Sequence, residues 1–551
     1  MKRIALFLSI SVTTIGMVTG QPCSSERYLS NVFQSTVTQD VVYGNSPALT
    51  AVYVAENVTV NQAMTMDIFF PEGDALAKRP FVILAYGGGY LFGTKEDEDV
   101  WATCDSLAKK GYVAASINYR MNMNVASSVS AVRAIYRAAQ DYHAAIRYIK
   151  EYADTYRVDT NYMFVGGVSA GGFSAMHAVY MDENERPAET FQSGLLGANP
   201  DLGCLSCSGN SFNHTNHVRG IINLWGALMD TSYVQQNEVV PMTLFHGTDD
   251  LIVPYDYGFP FTALFLMPEV FGSANISMRV NNLGGTAELN TFAGVGHNIW
   301  GVNVNNQLVG GPTEHWSPIT DSIISFLYEN IRPEQALLNI ASSSCSADTA
   351  TFEVLNPAAG GWVCWDVENG TIVAANSDSS VVQVVWQNAG NHQVTAVSFN
   401  HLQAYSIPNS TQVSVYISPQ VSITDLGGSL QASGSYPSYQ WYLNGNPIPD
   451  ANQQNYTPLS TGTYTVEAST ANGCSAFSDP LLLVGLESPR SSGKIVARIE
   501  VLDIQGRLIG KFGSIEELRS AAWSTTQTFI LRYYGADAQL ISEEKRVLTT
   551  F

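Results

Sequence analysis

Positive charge is scarce in this chain, and one long part of the chain has none. The 551 residues include 27 Lys and Arg against 48 Asp and Glu, which gives a formal net charge of −21. Between Arg332 and Arg490 there is no Lys or Arg at all. An acidic chain is repelled by nucleic acids and by anionic membrane surfaces, so neither is expected as a partner. The gap in positive charge also predicts domain boundaries near residues 332 and 490.

No run of membrane-spanning length occurs after the N-terminus. At the N-terminus, Lys2 and Arg3 precede an apolar run at residues 4–18, and small residues follow. The run falls short of the ~20 apolar residues of a spanning helix and contains several hydroxyl side chains. The pattern predicts a signal peptide over residues 1–20, with a membrane anchor as the alternative. We therefore expect a secreted or cell-surface, extracellular protein.

Cysteine is also sparse, and the odd number of seven leaves at least one thiol unpaired. Export would place these residues in an oxidising compartment, where disulfides form. Cys204 and Cys207 form a single CxxC, and without a second CxxC this spacing predicts a local loop disulfide rather than a zinc site. Cys345 and Cys364 lie in the same predicted domain and are expected to pair, which leaves Cys474 as the expected unpaired cysteine.

The first 330 residues alternate strand patterns with helical patterns. This alternation predicts a mostly parallel sheet covered by helices, in which ligands bind at the carboxyl ends of the strands. The clearest helix is predicted over residues 128–156, where apolar residues recur every three or four positions. The predicted strands are residues 65–70, 80–86, 113–119, 162–166, 218–225, 241–246 and 289–293. The apolar stripe of the helix comprises Ile135, Ala139, Tyr142, Ile146 and Ile149, and the charged residues off the stripe are Arg133, Arg137, Asp141, Arg147 and Lys150.

Two glycine-rich turns follow predicted strands. Ser169 lies in the sequence Gly-Val-Ser-Ala-Gly-Gly at residues 167–172, between a strand and a helical stretch. A strained strand–turn–helix of this kind presents a nucleophilic serine, and its glycines avoid clashes in the turn. Three glycines at residues 87–89 expose backbone N–H groups, which suits an oxyanion hole. The alternatives are an incidental serine in a glycine-rich turn and a flexible glycine turn.

An acid and a histidine follow two later strands. Asp250 comes after the strand at residues 241–246, and His297 comes after the last predicted strand. The chain order Ser169, Asp250, His297 is the order found in one of the serine hydrolase architectures. In these roles His297 takes the proton of Ser169 and Asp250 orients the imidazole. Asp249, one position earlier, is the rival acid.

The other histidines are expected to be structural. His246 precedes the acid turn and is predicted to be a buried hydrogen-bonding residue, and His177 lies on the helix after Ser169. His214 and His217 form an HxxH in a polar loop, a weak metal motif without an acidic partner at ligand spacing. The sequence thus indicates no metal and no cofactor.

These motifs together resemble the α/β-hydrolase superfamily, in its serine esterase branch of carboxylesterases and hormone-sensitive-lipase-like esterases. The resemblance covers about residues 40–330, with Tyr86 standing where many of these esterases have His. It implies the α/β hydrolase fold, Asp250 as the acid, and an oxyanion hole formed by Gly88, Gly89 and the N–H of Ala170. The matching segments are YGGGY at residues 86–90, GVSAGG at 167–172, HGTDDLIVP at 246–254 and GVGHNIWG at 294–301.

The rest of the chain resembles all-β modules. Alternating strand patterns separated by Asn-Gly and Pro-rich turns predict β-sandwiches. Residues 338–420 resemble a PKD-like domain, and residues 421–485 resemble the Ig-like modules of secreted Bacteroidetes proteins. Residues 488–551 resemble the C-terminal sorting domain of the type IX secretion system, which implies the type IX secretion machinery as a partner. The predicted catalytic domain is residues 21–335.

The predicted function is that of a secreted serine carboxylic-ester hydrolase acting through an acyl-enzyme. Export and the appended modules favour a plant-cell-wall ester, feruloyl or acetyl, or a polymer ester, with polysaccharide contact through the sandwich modules. The alternatives are a peptidase of the same superfamily and a surface adhesin with an inactive hydrolase domain. Aromatic residues that flank the motif loops are candidates for binding an aromatic acyl group or are ordinary core residues: Tyr90, Phe92, Trp225, Tyr255, Tyr257 and Trp300.

Overall fold

The chain forms two compact units in a computed structural model. The first takes in the chain up to Ala341 with Thr351–Val384 and Gln393–Gln412, and the second takes in Ser342–Ala350, Val385–His392 and the chain from Val413. None of the described helices is both long and apolar enough to cross a membrane. The domain limits expected from the sequence stay predictions. The structure describes residues 23–195, 198–261, 267–297, 302–304, 307–309, 311–484, 496–503, 506–514, 517–518, 527–535 and 539–548.

An eight-stranded sheet organises the first unit. Its strand order is β1-β2-β4-β3-β5-β6-β7-β10, in which β2 runs antiparallel to β1 and β4 and the other neighbours are parallel. This mostly parallel sheet with its helices is the α/β hydrolase fold, as predicted. The strands are β1 (Ser35–Leu49), β2 (Thr59–Pro71), β3 (Arg79–Ala85), β4 (Val113–Ile117), β5 (Val158–Val168), β6 (Gly220–Leu224), β7 (Met242–Gly247) and β10 (Ala287–Phe292).

The central strands are apolar because helices and loops cover the sheet. Every residue of β3, β4, β6 and β7 is buried, as expected for parallel strands whose two faces are both covered. The remaining elements of this region are α1 (Glu98–Lys110), α2 (Ser128–Glu151), α3 (Ala153–Tyr156), α4 (Ala170–Tyr180), α5 (Ser273–Asn282), α6 (Trp316–Ile331), β8 (Tyr257–Gly258), β9 (Val270–Phe271), β11 (Val302–Val304) and β12 (Gln307–Val309).

Helix α2 is buried more completely than its apolar stripe predicts. Four of the five charged residues off the stripe, Arg133, Arg137, Asp141 and Arg147, are at most 2% exposed. Each finds a partner inside the protein, because a buried charge is unfavourable without one. The side chain of Glu56 binds both Arg133 (2.8 Å) and Arg137 (2.6 Å). Asp141 binds Arg120 (2.8 Å), and Arg147 donates to the carbonyl of Ser208 (2.6 Å).

The later part of the chain is built from mainly antiparallel sheets, which form the predicted β-sandwich modules. Within the second unit, Trp441 is fully buried among Leu430, Tyr464 and Val466. The strands are β13 (Leu338–Asn339), β14 (Ser343–Cys345), β15 (Thr349–Val354), β16 (Trp362–Val367), β17 (Gly370–Ala375), β18 (Val381–Trp386), β19 (Gly390–Phe399), β20 (Asn409–Tyr416), β21 (Ile423–Asp425), β22 (Leu430–Ala432), β23 (Ser438–Leu443), β24 (Asn446–Pro447), β25 (Asn455–Tyr456), β26 (Gly462–Ser469), β27 (Ser475–Phe477), β28 (Leu481–Leu483), β29 (Val496–Leu502), β30 (Leu508–Phe512), β31 (Gln527–Gly535) and β32 (Leu540–Leu548).

Part of the sandwich region belongs to the core of the first unit. Leu402 and Ala404 are fully buried in the same apolar cluster as the hydrolase sheet. The hydroxyl of Tyr28 donates to the carbonyl of Leu402 (2.9 Å), and Asn400 donates to the carbonyl of Ile331 (2.6 Å). Residues beyond 335 therefore complete the hydrophobic core of the catalytic region.

The disulfides differ from the expected pairing. Cys204 and Cys207 are joined, as predicted, but Cys345 pairs with Cys474 and Cys364 pairs with Cys23. The expected Cys345–Cys364 bond was wrong, and Cys474 is not the unpaired residue. The free cysteine is Cys104, which is buried on α1. Proximity in the folded chain decides disulfide pairing, and membership of one sequence module does not reveal it.

Candidate active site

Ser169 sits on a strained turn between β5 and α4. Its backbone has φ of +51°, the left-handed region that side-chain-bearing residues rarely adopt, and its N–H donates to the carbonyl of Leu224 (2.8 Å). A Cβ on Gly171 would lie 2.2 Å from the carbonyl oxygen of Ala85, and one on Gly167 would lie 2.6 Å from the same atom. Glycine is therefore required on both sides of the serine for the turn to pack against β3.

The three predicted catalytic residues lie in hydrogen-bond contact. His297 Nε2 is 2.9 Å from Ser169 Oγ, and His297 Nδ1 is 2.7 Å from Asp250 Oδ2. Because a carboxylate only accepts hydrogen bonds, Nδ1 carries the proton and Nε2 is free to accept from the serine. Asp249 is exposed and its carboxyl accepts instead from Thr248. Of the two candidate acids, Asp250 is the one in contact with His297.

Asp250 is held by four donors. Its Oδ1 accepts the backbone N–H groups of Ile252 and Val253, and its Oδ2 accepts from both His297 and His246. Burial raises the pKa of Asp250, but the hydrogen bonds from His246 and His297 outweigh burial and hold the pKa below its ordinary value. The carboxyl is therefore ionised and able to stabilise a protonated His297.

His246 has a larger part in the site than its sequence position suggested. It is fully buried, as predicted, and its Nε2 lies 3.1 Å from Asp250 Oδ2 and 3.0 Å from the carbonyl of Val253. Its Nδ1 lies 2.8 Å from Ser273 Oγ. Since both neighbours of Nε2 are acceptors, this nitrogen carries the proton and donates to Asp250. His246 is a positioning residue for the acid.

The glycine turn after β3 lies beside Ser169. Gly88 and Gly89 have φ of +101° and +59°, and a Cβ on Gly88 would lie 2.0 Å from the carbonyl oxygen of Phe92. The buried hydroxyl of Tyr90 contacts the carbonyl of Ala170 and Ser174 Oγ, both at 3.2 Å. These contacts fix the turn against the start of α4, and the three predicted oxyanion donors, Gly88, Gly89 and Ala170, line one cavity with Ser169.

A cavity of about 390 Å³ opens onto the serine and the histidine. Its walls are mainly apolar, and Trp225 packs edge-on against the His297 ring, with ring centres 6.3 Å apart. Of the six flanking aromatic residues, Tyr90, Phe92 and Trp225 line the cavity, Tyr255 and Tyr257 are not in its lining, and Trp300 lies outside the described residues. The lining comprises residues 87–92, Asp97, Asp99, Met123, Ala131, Ile135, residues 168–170, Phe173, Trp225, Ile252, Val253, Pro260, Phe261, Met267, Pro268, Val270 and His297.

Two carboxyl groups in this cavity were not anticipated from the sequence. Asp97 immediately precedes α1 and is half-buried, and Asp99 in the first turn of α1 is 4% exposed. Burial raises the pKa of Asp97 to about 6 and that of Asp99 to about 7. Charged residues at the start of a helix are usually solvated, so the composition of residues 95–99 gave no signal for a cavity lining.

The other three histidines named from the sequence, His177, His214 and His217, lie outside the contacts of Ser169, His297 and Asp250. His177 Nδ1 donates to the carbonyl of Phe173 (2.7 Å) and its Nε2 accepts from the backbone of Met229. Burial lowers the pKa of His177 to about 4, which keeps the ring neutral. His214 pairs with Glu151 (2.8 Å), and burial lowers the pKa of His217. Over the described ranges, no group of three His, Cys, Asp or Glu residues could hold a metal ion.

One family model matches part of the chain. Residues 66–228 match the family model described as BD-FAE, an esterase-like α/β-hydrolase domain. Among curated proteins, none matches the chain. The matched segment, which is less than half of the chain, is similar to an esterase-like hydrolase domain.

Solved structures of one bacterial esterase also resemble the chain. Esterase 2 of the Planctomycetes species Thermogutta terrifontis, phosphorylated by paraoxon, is 19% identical, with 52% of this chain and 94% of that chain covered and a TM-score of 0.34. Its propionate-bound form is 18% identical, with the same coverage and a TM-score of 0.35. Its native form is 18% identical, with 52% and 92% covered and a TM-score of 0.34.

Proposed function

We propose that this protein is a serine carboxylic-ester hydrolase that works through an acyl-enzyme intermediate. The observation that carries the proposal is the continuous hydrogen-bond chain from Ser169 Oγ through His297 to Asp250, with the serine on a strained turn at the wall of a cavity. A nucleophile, a base in contact with it and an acid that orients the base are the parts that acyl transfer requires.

The first half of the reaction acylates the serine. Ser169 Oγ attacks the ester carbonyl carbon while its proton passes to His297 Nε2, and the carbonyl oxygen becomes an oxyanion. The N–H groups of Gly88, Gly89 and Ala170 would stabilise that oxyanion, and the helix dipole of α4 favours negative charge at its N-terminus. When the intermediate collapses, the alcohol leaves with the proton from His297, and the acyl group remains on Ser169.

The second half of the reaction hydrolyses the acyl-enzyme and regenerates the free hydroxyl of Ser169. Water loses a proton to His297 Nε2 and attacks the acyl carbon, and the second intermediate releases the carboxylic acid as Ser169 recovers its proton. In both halves His297 carries a positive charge for a time. The ionised Asp250, fixed by His246 and two backbone N–H groups, stabilises that charge without becoming protonated itself.

Export and the nature of the ester are part of the proposal. The N-terminal signal-like segment and the sorting-like C-terminal segment support secretion or surface attachment through the type IX secretion machinery. Three disulfides in the described chain support an oxidising compartment, where such bonds persist. The β-sandwich modules that follow the esterase-like domain in the chain support an ester carried by a polymer or a plant cell wall, feruloyl or acetyl, with the modules contacting polysaccharide.

Hydrolysis of p-nitrophenyl acetate by a set of variants tests the chemistry. We expect Ser169→Ala to abolish the burst of p-nitrophenol, and Asp250→Asn to lower kcat about 10⁴-fold because the wrong imidazole tautomer faces the serine. Asp249→Asn is the matched control: it changes the neighbouring, exposed carboxyl and should keep kcat within about twofold. Mass spectrometry of quenched wild-type protein should show the acyl group on the peptide that contains Ser169.

Several results would reject the mechanism. Wild-type turnover by Ser169→Ala, or equal losses for Asp249→Asn and Asp250→Asn, would show that the contact geometry does not carry the reaction. Activity on aminoacyl p-nitroanilides without activity on esters would favour a peptidase. A fully inactive wild-type protein with intact fold would favour an adhesin in which the hydrolase domain does no chemistry.

A further inference from the structure

Two acidic side chains face the substrate cavity without a cation of the protein beside them. Asp97 and Asp99 line the same cavity as Ser169 and His297. The hydrogen bonds to their carboxyls come from the backbone: Thr94 N–H reaches Asp97 Oδ1 (3.3 Å) and Val100 N–H reaches Asp99 Oδ1 (2.7 Å). Across the residues that the structure describes, no Lys, Arg or His contacts either carboxyl. Among the described residues, the donors to the Asp99 carboxyl are the backbone N–H groups of Val100 and of Asp99 itself, although the residue is 96% buried.

Lys95, the lysine nearest to these acids in the chain, is engaged elsewhere. Its Nζ lies 2.9 Å from Asp67 and 3.1 Å from Asp40, and it also contacts Glu96. Asp97 does not cap α1, because its side chain makes no hydrogen bond to the first backbone N–H groups of the helix. Burial raises the pKa of both acids, and their mutual repulsion adds to the effect on Asp99. Two uncompensated acids in a largely apolar cavity are unfavourable for the free protein, and a bound cation would relieve that condition.

The walls of the cavity favour the same kind of ligand. Aromatic rings of Tyr90, Phe92, Trp225 and Phe261 line it together with the acids. The face of an aromatic ring carries negative electrostatic potential and attracts ammonium groups, most strongly where water is excluded. Carboxylates and aromatic rings in one cavity therefore favour a ligand that carries a positive charge at the end of an apolar group.

We propose that the cavity recognises esters bearing a protonated amine, whose ammonium group donates hydrogen bonds to Asp99 and Asp97 while the ester carbonyl lies at Ser169. The proposal rests on the proposed ester hydrolysis for its chemistry and adds the substrate class. Asp99 is the main specificity-determining residue because it is the more buried acid and no described side chain donates to its carboxyl. Asp97 contributes less because it is half-exposed.

Competitive inhibition of p-nitrophenyl acetate hydrolysis by two matched probes tests the inference. Benzylammonium and benzyl alcohol have nearly the same shape and differ in charge. At about pH 8, where both acids are mainly ionised, we expect benzylammonium to bind at least about tenfold more tightly. Asp99→Asn should remove this preference by raising the inhibition constant of benzylammonium about tenfold, with that of benzyl alcohol unchanged. Retained binding of benzyl alcohol also shows that the variant is folded.

A matched control variant distinguishes the effect of an acid inside the cavity from the effect of any negative charge on α1. Asp105→Asn changes another α1 acid, which pairs with Lys109 and lies outside the cavity lining, so it should leave both inhibition constants unchanged. Tighter binding of benzyl alcohol than of benzylammonium would overturn the inference and assign the carboxyls to a hydroxyl group. Equal inhibition constants for benzylammonium in wild type and Asp99→Asn would overturn it as well.

The experiments distinguish failure of the proposed ester hydrolysis from failure of the proposed preference for a protonated amine. If the wild-type protein does not hydrolyse p-nitrophenyl acetate, the proposed chemistry fails, but calorimetric titration of Ser169→Ala with the two probes still measures the charge preference. If hydrolysis proceeds and the preference is absent, the chemistry stands and the substrate class is rejected.

Discussion

Replacing Asp99 by Asn should stabilise the protein above neutral pH, because it removes a buried charge and keeps the shape of the side chain. The folded protein holds the proton of Asp99 up to a pKa of about 7, because burial disfavours the charged form and Asp97 and Glu98 repel it. In the unfolded chain the same carboxyl has its ordinary pKa of 3.8. Between these pH values the folded state binds more protons than the unfolded state, so the free energy of unfolding falls as the pH rises.

The magnitude follows from the separation of the two pKa values. At ~1.4 kcal/mol per pH unit, wild type should lose about 4 kcal/mol of stability between pH 4 and pH 8 through this residue. Asn has nearly the same shape as Asp and no charge at any pH. The free energy of unfolding of Asp99→Asn therefore does not fall with pH through this residue. The two proteins should be about equally stable at pH 4, and the variant should be up to ~4 kcal/mol more stable at pH 8. With about 2 °C per kcal/mol for a large unit, its Tm should be about 8 °C higher at pH 8.

Thermal unfolding of both proteins at several pH values, followed by tryptophan fluorescence, measures this difference. Asp105→Asn, on the same helix but partly exposed and paired with Lys109, should shift the Tm by less than about 2 °C at every pH. A variant Asp99→Asn that is no more stable than wild type at pH 8, or a stability difference that does not change with pH, would refute the reasoning. Either result would mean that water or a partner compensates the Asp99 charge in the folded protein.

Two further predictions concern the support of the site. His246→Leu should lower kcat roughly tenfold with little change in KM, because one charge-assisted hydrogen bond to Asp250 is lost. His246→Gln keeps a donor and should recover part of kcat. A loss confined to KM would contradict the positioning role. A chain that ends at Glu334 lacks Leu402 and Ala404 and should unfold at lower temperature. Leu402→Ala alone should lower the free energy of unfolding by about 2–5 kcal/mol, as measured by denaturant unfolding. An unchanged unfolding midpoint would show that these residues add nothing to the stability of the core.

The positions of the candidate catalytic residues followed from the sequence because each one comes directly after a strand. Ser169, Asp250 and His297 follow β5, β7 and β10 respectively. In a parallel sheet the carboxyl ends of these strands share one edge, so residues far apart in the chain converge there. The glycine turn after β3 belongs to the same edge. Short apolar runs were sufficient to locate these strands, since buried parallel strands are apolar on both faces.

Features that depend on tertiary contacts could not be predicted from the sequence pattern. Strand β1 escaped prediction because it lies at the sheet edge and many of its residues are exposed. The charges of α2 suggested a solvated side, but partners such as Glu56, which is 77 residues before Arg133, allow them to be buried. Pairing of Cys23 with Cys364 is likewise a property of the folded chain. Asp97 and Asp99 became candidates for ligand binding only because the folded structure places them in the lining of the cavity that contains Ser169 and His297.

The bond between Cys23 and Cys364 closes a covalent ring around the hydrolase sheet, since the two residues are 341 positions apart in the chain. One proteolytic cut inside the ring leaves both pieces attached, so a nicked molecule migrates as two fragments only after reduction. If the signal peptide ends at residue 20, Cys23 is the third residue of the mature protein. An aminopeptidase that trims the mature protein would then meet, at the third residue, a cysteine bonded to strand β16.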